Sequence, residues 1–172
     1  NLEVVTTTAE KYEDSFGFTE EEVFTALDEF GLSHKRKDVK KWYDGFTFGK
    51  RSDIYNPWSI INYLSKKEFQ CYWANTSSNS LVGKLLKEGN RYIEQNFEKL
   101  LSGEHLHVLI DEPFVYDQMR ENETAIWSLL LAGGYLRVFG QRELTDEEWV
   151  GLTPRYELGI TNLEVEIMFH RM

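Results

Sequence analysis

The sequence predicts a mainly α protein that closes on a helix-strand-strand-helix unit. Three observations point there. Helix starts with favourable caps recur along the chain, apolar residues follow them at intervals of three and four, and the longer strand-like stretches come late, at Tyr135 to Phe139 and Arg155 to Ile160.

The 172 residues allow one domain or two small ones, and a folded chain of this length buries roughly 70% of its unfolded surface. Hydrophobic residues at 41% and aromatics at 15% supply that core. No run approaches the roughly 20 apolar residues of a bilayer span. With 19 basic against 29 acidic residues the formal charge is −10, which repels a phosphate backbone at long range and favours solubility. The single cysteine, Cys71, excludes an internal disulfide, and Phe69, Tyr72 and Trp73 around it suit a buried thiol in a reducing compartment. A cytoplasmic location is therefore expected, with no signal peptide at the start. Asn1 in place of a methionine, and the unfinished amphipathic run Leu163 to Met172, read as an excised segment.

Residues 1 to 18 show no steady period and read as an extended lead-in, with Phe16 and Phe18 docking on the elements after it. Thr19 starts a helix: with Glu22 it makes a capping box, Glu20 and Glu21 suit the positive helix end, and Gly31 stops it. Val23, Phe24, Ala26, Leu27 and Phe30 form its expected buried face. Next, Lys35, Arg36, Lys37, Lys40 and Lys41 gather on one short helix. Such a charge run is first a solvated face, and second a face for phosphate or a partner.

Trp42 to Asn79 holds three of the five tryptophans and the cysteine, and reads as a buried hub. Within it Asp44-Gly45 is a turn dipeptide, Gly49 marks another bend, and Phe46 to Phe48 is a short strand or a tight loop. Asn56-Pro57 is the sharpest signal in the chain: Asn at the N-cap and Pro at the first helical position start a helix to about Ser65, with Trp58, Ile60, Ile61 and Leu64 as its apolar face. Asn75 to Asn79 offers caps for a helix beginning near Ser80 and ending at Gly89. Another helix runs from about Tyr92 to Gly103, and Leu106 to Ile110 reads as a short strand. After a loop around Pro113, a helix from Glu123 to Gly133 is apolar nearly all round, which implies burial on several sides. The two late strands flank an acidic, turn-rich segment, 143 to 148, and Thr161 or Asn162 caps a last helix carrying Leu163, Val165, Ile167, Met168 and Phe169.

The chemistry-bearing motifs are mostly missing. There is no GxxxxGK[ST] loop to cradle a nucleotide phosphate and no GxSxG elbow. Cys71 lacks the electropositive surround of a nucleophile. Asp53, Asp111 and Glu112 are acids without evident partners; Asp111-Glu112 suits Mg²⁺, but no E-x-K completes a nuclease-like set. Of the four histidines only His105 and His107 are close. On a strand they project to one face, which suits a metal, but with no third spaced ligand no metal site is expected.

WYDGFTFG from Trp42, IYNPWSIINYL from Ile54 and YWANTSSN from Tyr72 together resemble the middle of a large family of bacterial AAA-ATPase-like proteins that end in a PD-(D/E)XK nuclease-like domain. FGFTEEEV from Phe16, WSLLLAGGYL from Trp127 and YELGITNLEV from Tyr156 keep the same order over nearly the whole chain. Thr161 stands where that pattern has a proline. The resemblance implies a helical lid over residues 1–120 and a winged-helix-like region over 121–172, between an upstream P-loop ATPase core and a downstream nuclease-like domain. By analogy with lid helices of related ATPases, it implies that Tyr55, Asn56, Pro57 and Trp58 contact adenine and that Arg51 approaches phosphate. ATP and Mg²⁺ would then belong to the full-length parent, with no cofactor held by this segment and no enzyme activity of its own.

The expected function is thus a non-catalytic coupling segment that links nucleotide state to a downstream effector. The alternatives are a nucleic-acid-binding winged-helix module, or a module for a protein partner or self-association. Against the first stands an acidic tail in which Arg137, Arg142, Arg155 and Arg171 are outnumbered by Asp and Glu.

Overall fold

Among the described residues, two three-stranded antiparallel sheets stand alongside the helices. The computed structural model describes residues 17–48, 51–73, 82–83, 89–110, 123–141 and 155–172. In chain order the elements are β1 (Phe18–Thr19), α1 (Glu20–Glu29), a 3₁₀ turn (Ser33–Lys35), α2 (Arg36–Tyr43), β2 (Phe46–Phe48), β3 (Arg51–Tyr55), α3 (Pro57–Lys66), α4 (Arg91–Leu101), β4 (Leu106–Leu109), α5 (Glu123–Ala132), β5 (Leu136–Gln141), β6 (Arg155–Ile160) and α6 (Leu163–His170). They gather into two compact units, Asn1–Asn79 with Thr161–Met172, and Ser80–Ile160.

In the first unit, β3 is the central strand, with β1 and β2 on either side. Helix α1 begins as its sequence requires. Thr19 Oγ1 accepts from the Glu22 amide at 3.3 Å, and Glu22 Oε2 accepts from the Thr19 amide at 2.8 Å, an arrangement that stabilises a helix start by about 1 kcal/mol. Gly31 turns the chain out of α1 with a φ of 71°, and Val23 and Leu27 are buried beneath it. Helix α3 starts at Asn56, whose Oδ1 accepts from the amides of Trp58 at 2.9 Å and Ser59 at 3.3 Å.

The hub expected within Trp42 to Asn79 is an aromatic cluster as far as Trp73, where the described part ends. Tyr43, Tyr63 and Phe69 pack with centroids 4.5 to 6.2 Å apart, Trp42 stacks on Phe69 at 5.5 Å, and Tyr72 lies 6.2 Å from Tyr43. The buried Tyr43 hydroxyl donates to the Gln70 carbonyl at 3.0 Å. Helix α6 joins this unit through its cap: Asn162 Oδ1 accepts from the Val165 amide at 3.1 Å, and its Nδ2 donates to the Asp44 carbonyl at 2.9 Å.

In the second unit, β6 lies between β4 and β5. Leu158 of β6 stands opposite both Leu106 of β4 and Val138 of β5, and Leu106 and Leu158 are buried. Helix α5 is buried on several sides, with Ala125, Ile126, Trp127, Leu130 and Leu131 all inside, as its nearly all-round apolar pattern predicts.

Three expectations are corrected. The chain is mixed α and β, not mainly α: strands of two to six residues are too short to carry a long alternating signal, and the polar start of β3, Arg51-Ser52-Asp53, hides the strand at the centre of the first sheet. The winged-helix-like helix-strand-strand-helix unit does not stand as a unit either. Strands β5 and β6 form a sheet with β4, and α6 belongs with the first compact unit. Finally, Phe30, Trp58 and Ile61, expected on buried faces, are 49%, 57% and 54% exposed.

The lead-in before Gly17, the loop around Pro113 and the acidic segment 143–148 fall outside the described residues, as does the helix expected from Ser80 apart from Val82 and Gly83. Among the described residues no helix is long and apolar enough to cross a membrane.

Candidate functional site

Strand β3 runs straight into the head of α3, so whatever fixes β3 also fixes Asn56, Pro57 and Trp58. It is fixed by charge. Lys40, near the end of α2, places its Nζ 3.0 Å from Asp53 Oδ1 and 3.5 Å from Asp44 Oδ2, and it also pairs with Glu20 at the start of α1. Tyr55 completes the group, its buried hydroxyl donating to Glu20 Oε2 at 3.1 Å. One ammonium thus ties α1, the end of α2 and β3 together. Asp53 takes part from a left-handed backbone, φ 61°, a conformation that Asp tolerates better than most side chains.

The electrostatics of this group are uneven. Asp44 is 3% exposed, and burial together with the neighbouring Asp53 carboxylate pushes its carboxyl up to about 7. Its Oδ1 is buried without a hydrogen-bond partner. Asp53, hydrogen-bonded to Lys40, is held below the usual carboxylate range. Burial works against the charged form of Lys40, but hydrogen bonds to Glu20 and Asp53 outweigh it and raise the ammonium above the ordinary lysine value. Tyr55 is pushed well up by burial and by the charges of Asp44 and Glu20. Glu20, Asp44 and Asp53 bring carboxylate oxygens within 4.8 Å of one another, a spacing that a hard cation accepts. Lys40 pairs with all three, so the chain supplies its own counter-charge there.

The residues expected to contact nucleotide therefore have different surroundings. Tyr55 is buried in the charged group, Asn56 caps α3, Pro57 is its first residue, and Trp58 projects into solvent. For Arg51 only the backbone is described, as the first residue of β3. Behind α3, Ser59 Oγ donates to the fully buried Glu164 of α6 at 2.8 Å, and the Trp73 amide donates to the same carboxylate at 2.7 Å.

The residues of the basic stretch have different surroundings. Arg36 pairs with Asp28 and lies over the Phe24 ring at 5.0 Å, Lys35 lies 3.5 Å from Asp38, and Lys40 belongs to the charged group. Lys37 and Lys41 are exposed and enter no ion pair among the described residues.

Sequence reasoning did not assemble Glu20, Lys40, Asp44 and Asp53. Glu20 is legible as a helix-start acid and Asp44 as a turn residue, and each local role accounts for the residue so well that nothing prompts a search for a partner. The one signal was Asp53, an acid without an evident partner inside an aromatic-rich stretch.

Comparison with known proteins adds one relative. The chain is 25% identical over 156 residues, 91% of its length, to an uncharacterized protein encoded in the vnfD 5′ region of Azotobacter chroococcum mcd 1. It spans about a quarter of that protein's length, 27%. No family model and no solved structure matches the chain.

Proposed function

We propose that this chain is a non-catalytic coupling segment of a larger ATPase-like protein, in which the head of α3 senses nucleotide held by a P-loop core and passes that state to a downstream nuclease-like effector. The observation that carries the reading is Trp58. A 57% exposed indole stands at the first turn of a doubly capped helix, directly after a strand fixed by four charged groups and a buried tyrosine. A large aromatic surface left in water on a rigid element is suited to stacking on a planar base. The motif resemblance across nearly the whole chain supports the same reading, and so does a relative several times longer than the chain.

In this reading ATP and Mg²⁺ bind the core, the segment itself hydrolyses nothing, and the protein works in the cytoplasm. The partners are the ATPase core and the nuclease-like domain of the same polypeptide. Calorimetric titration of ATP into the full-length protein, with and without Trp58→Ala, tests it: the substitution weakens binding if Trp58 faces the base, and an unchanged affinity removes the proposal.

A further inference from the structure

In the folded chain Glu157 of β6 comes into contact with His105 and into register with His107. His107 is an exposed residue of β4 between buried Leu106 and Val108, and the two-residue period of an extended chain sets His105 on its face. The antiparallel register places His107 directly opposite Glu157 of β6, while His105 Nδ1 lies 2.6 Å from Glu157 Oε1. Gly159, two residues further along β6, leaves room on this face. A Cβ there would sit 2.9 Å from His105 Cδ2 and 2.6 Å from Phe139 Cε2. The space is taken by the His105 and Phe139 rings, stacked with centroids 4.0 Å apart, so Phe139 fixes the plane of the imidazole.

We propose that His105, His107 and Glu157 form a binding site for a divalent late transition metal, with Zn²⁺ as the best fit. Two imidazoles and a carboxylate are a donor set that zinc accepts, with a fourth position left for water or another donor. The reach is short. Zn–N bonds of about 2.0–2.1 Å and Zn–O bonds of about 2.0–2.2 Å set neighbouring ligand atoms about 3.3 Å apart, so the His105–Glu157 contact opens by less than about 1 Å. His107 and Glu157 are cross-strand neighbours, whose Cβ atoms lie about 4.5–5.5 Å apart, and the exposed His107 ring has to turn toward Glu157 for all three side chains to hold one ion. Before the ion binds, the only trio of described residues with ligand atoms already within 4.8 Å is Glu20, Asp44 and Asp53. His105, His107 and Glu157 are thus not preassembled, and the set has to close around the metal. Ligating imidazoles must be unprotonated, so binding weakens in acid.

This inference does not depend on the nucleotide reading, and its test is separate. The 172-residue chain is titrated with ZnCl₂ by calorimetry at neutral pH, and with Co²⁺ by visible absorption. The expected result is one ion per chain with the absorption of a tetrahedral cobalt site, an affinity at least about 10-fold weaker in His107→Ala and in Glu157→Gln, and no change in a His34→Ala/His170→Ala control. His107 is exposed, so its variant keeps the fold, as far-UV circular dichroism checks. No binding by the unsubstituted chain, or binding by His107→Ala at the original affinity, overturns the proposal.

Discussion

Ser59 and Glu164, 105 positions apart in the chain, meet in a buried hydrogen bond of 2.8 Å that joins α3 to α6. The same carboxylate accepts from the Trp73 amide at 2.7 Å, and the Cys71 thiol lies 3.6 Å from the Glu164 carbonyl oxygen. Two separate stretches of the first unit, α3 and residues 71–73, converge on one fully buried acid of α6. Glu164→Ala would remove the buried acceptor of the Ser59 hydroxyl and of the Trp73 amide, each at about 1–3 kcal/mol, so a loss of about 2–6 kcal/mol is expected in urea unfolding. A loss below about 1 kcal/mol would mean that other groups hold α6 in place.

Asp44 makes stability depend on pH. Its folded-state value, about 7, lies above the ordinary value of 3.8, so the folded chain binds this proton more readily than the unfolded one. The penalty for holding the ionised group is complete above about pH 7 and is relieved as pH falls toward 4. This group therefore lowers stability by up to about 1.4 kcal/mol per pH unit as pH rises across that window. Asp44→Asn should remove that slope and stabilise the protein at pH 8. Identical unfolding profiles for the two proteins from pH 4 to 8 would refute this.

Lys40 is the cation on which the charged group turns. Its side chain is 43% exposed, which limits the worth of each ion pair. Even so, Lys40→Met leaves the nearly buried Asp44 without a positive neighbour, at an expected cost of about 1–3 kcal/mol at pH 8. In an Asp44→Asn background the same change should cost measurably less, and a double-mutant cycle reads the coupling. Additive effects would show that Lys40 serves only Glu20 and Asp53.

Gly17 passes close against β3. A Cβ at that position would lie 2.7 Å from the Tyr55 carbonyl oxygen and 2.5 Å from Ile54 Cγ2. The oxygen belongs to the backbone of the central strand and cannot rotate away, so Gly17→Ala should destabilise by about 1–3 kcal/mol. A neutral effect on thermal unfolding would show that the entry to β1 shifts freely.

How much of this was legible in the sequence depends on the range of the interactions. Helix starts were plain because their causes lie within three residues: Thr19 with Glu22 and Asn56 with Pro57 behave in the structure as their spacing predicts. Strands were hidden because their causes are distant. Arg51-Ser52-Asp53 becomes a central strand only by pairing with residues 18–19 and 46–48, and no local alternation announces that. The sites divide in the same way. The aromatic stretch around Asn56-Pro57 drew attention by composition, whereas Lys40 meets Asp53 and Glu20 through the fold, and His105 meets Glu157 across 52 positions. Trp58 and Ile61 kept the spacing of a buried face and yet lie in water, because hydrophobic periodicity reports an apolar stripe and not what covers it.

The coupling proposal is tested most directly by ATP affinity in the full-length protein carrying Trp58→Ala, measured beside the unfolding stability of the same variant. Loss of a base-stacking contact of about 1–3 kcal/mol predicts roughly 5- to 150-fold weaker ATP binding, with stability little changed because more than half of Trp58 is exposed. ATP bound equally well with and without Trp58 would contradict the proposal and leave the head of α3 as a structural element alone.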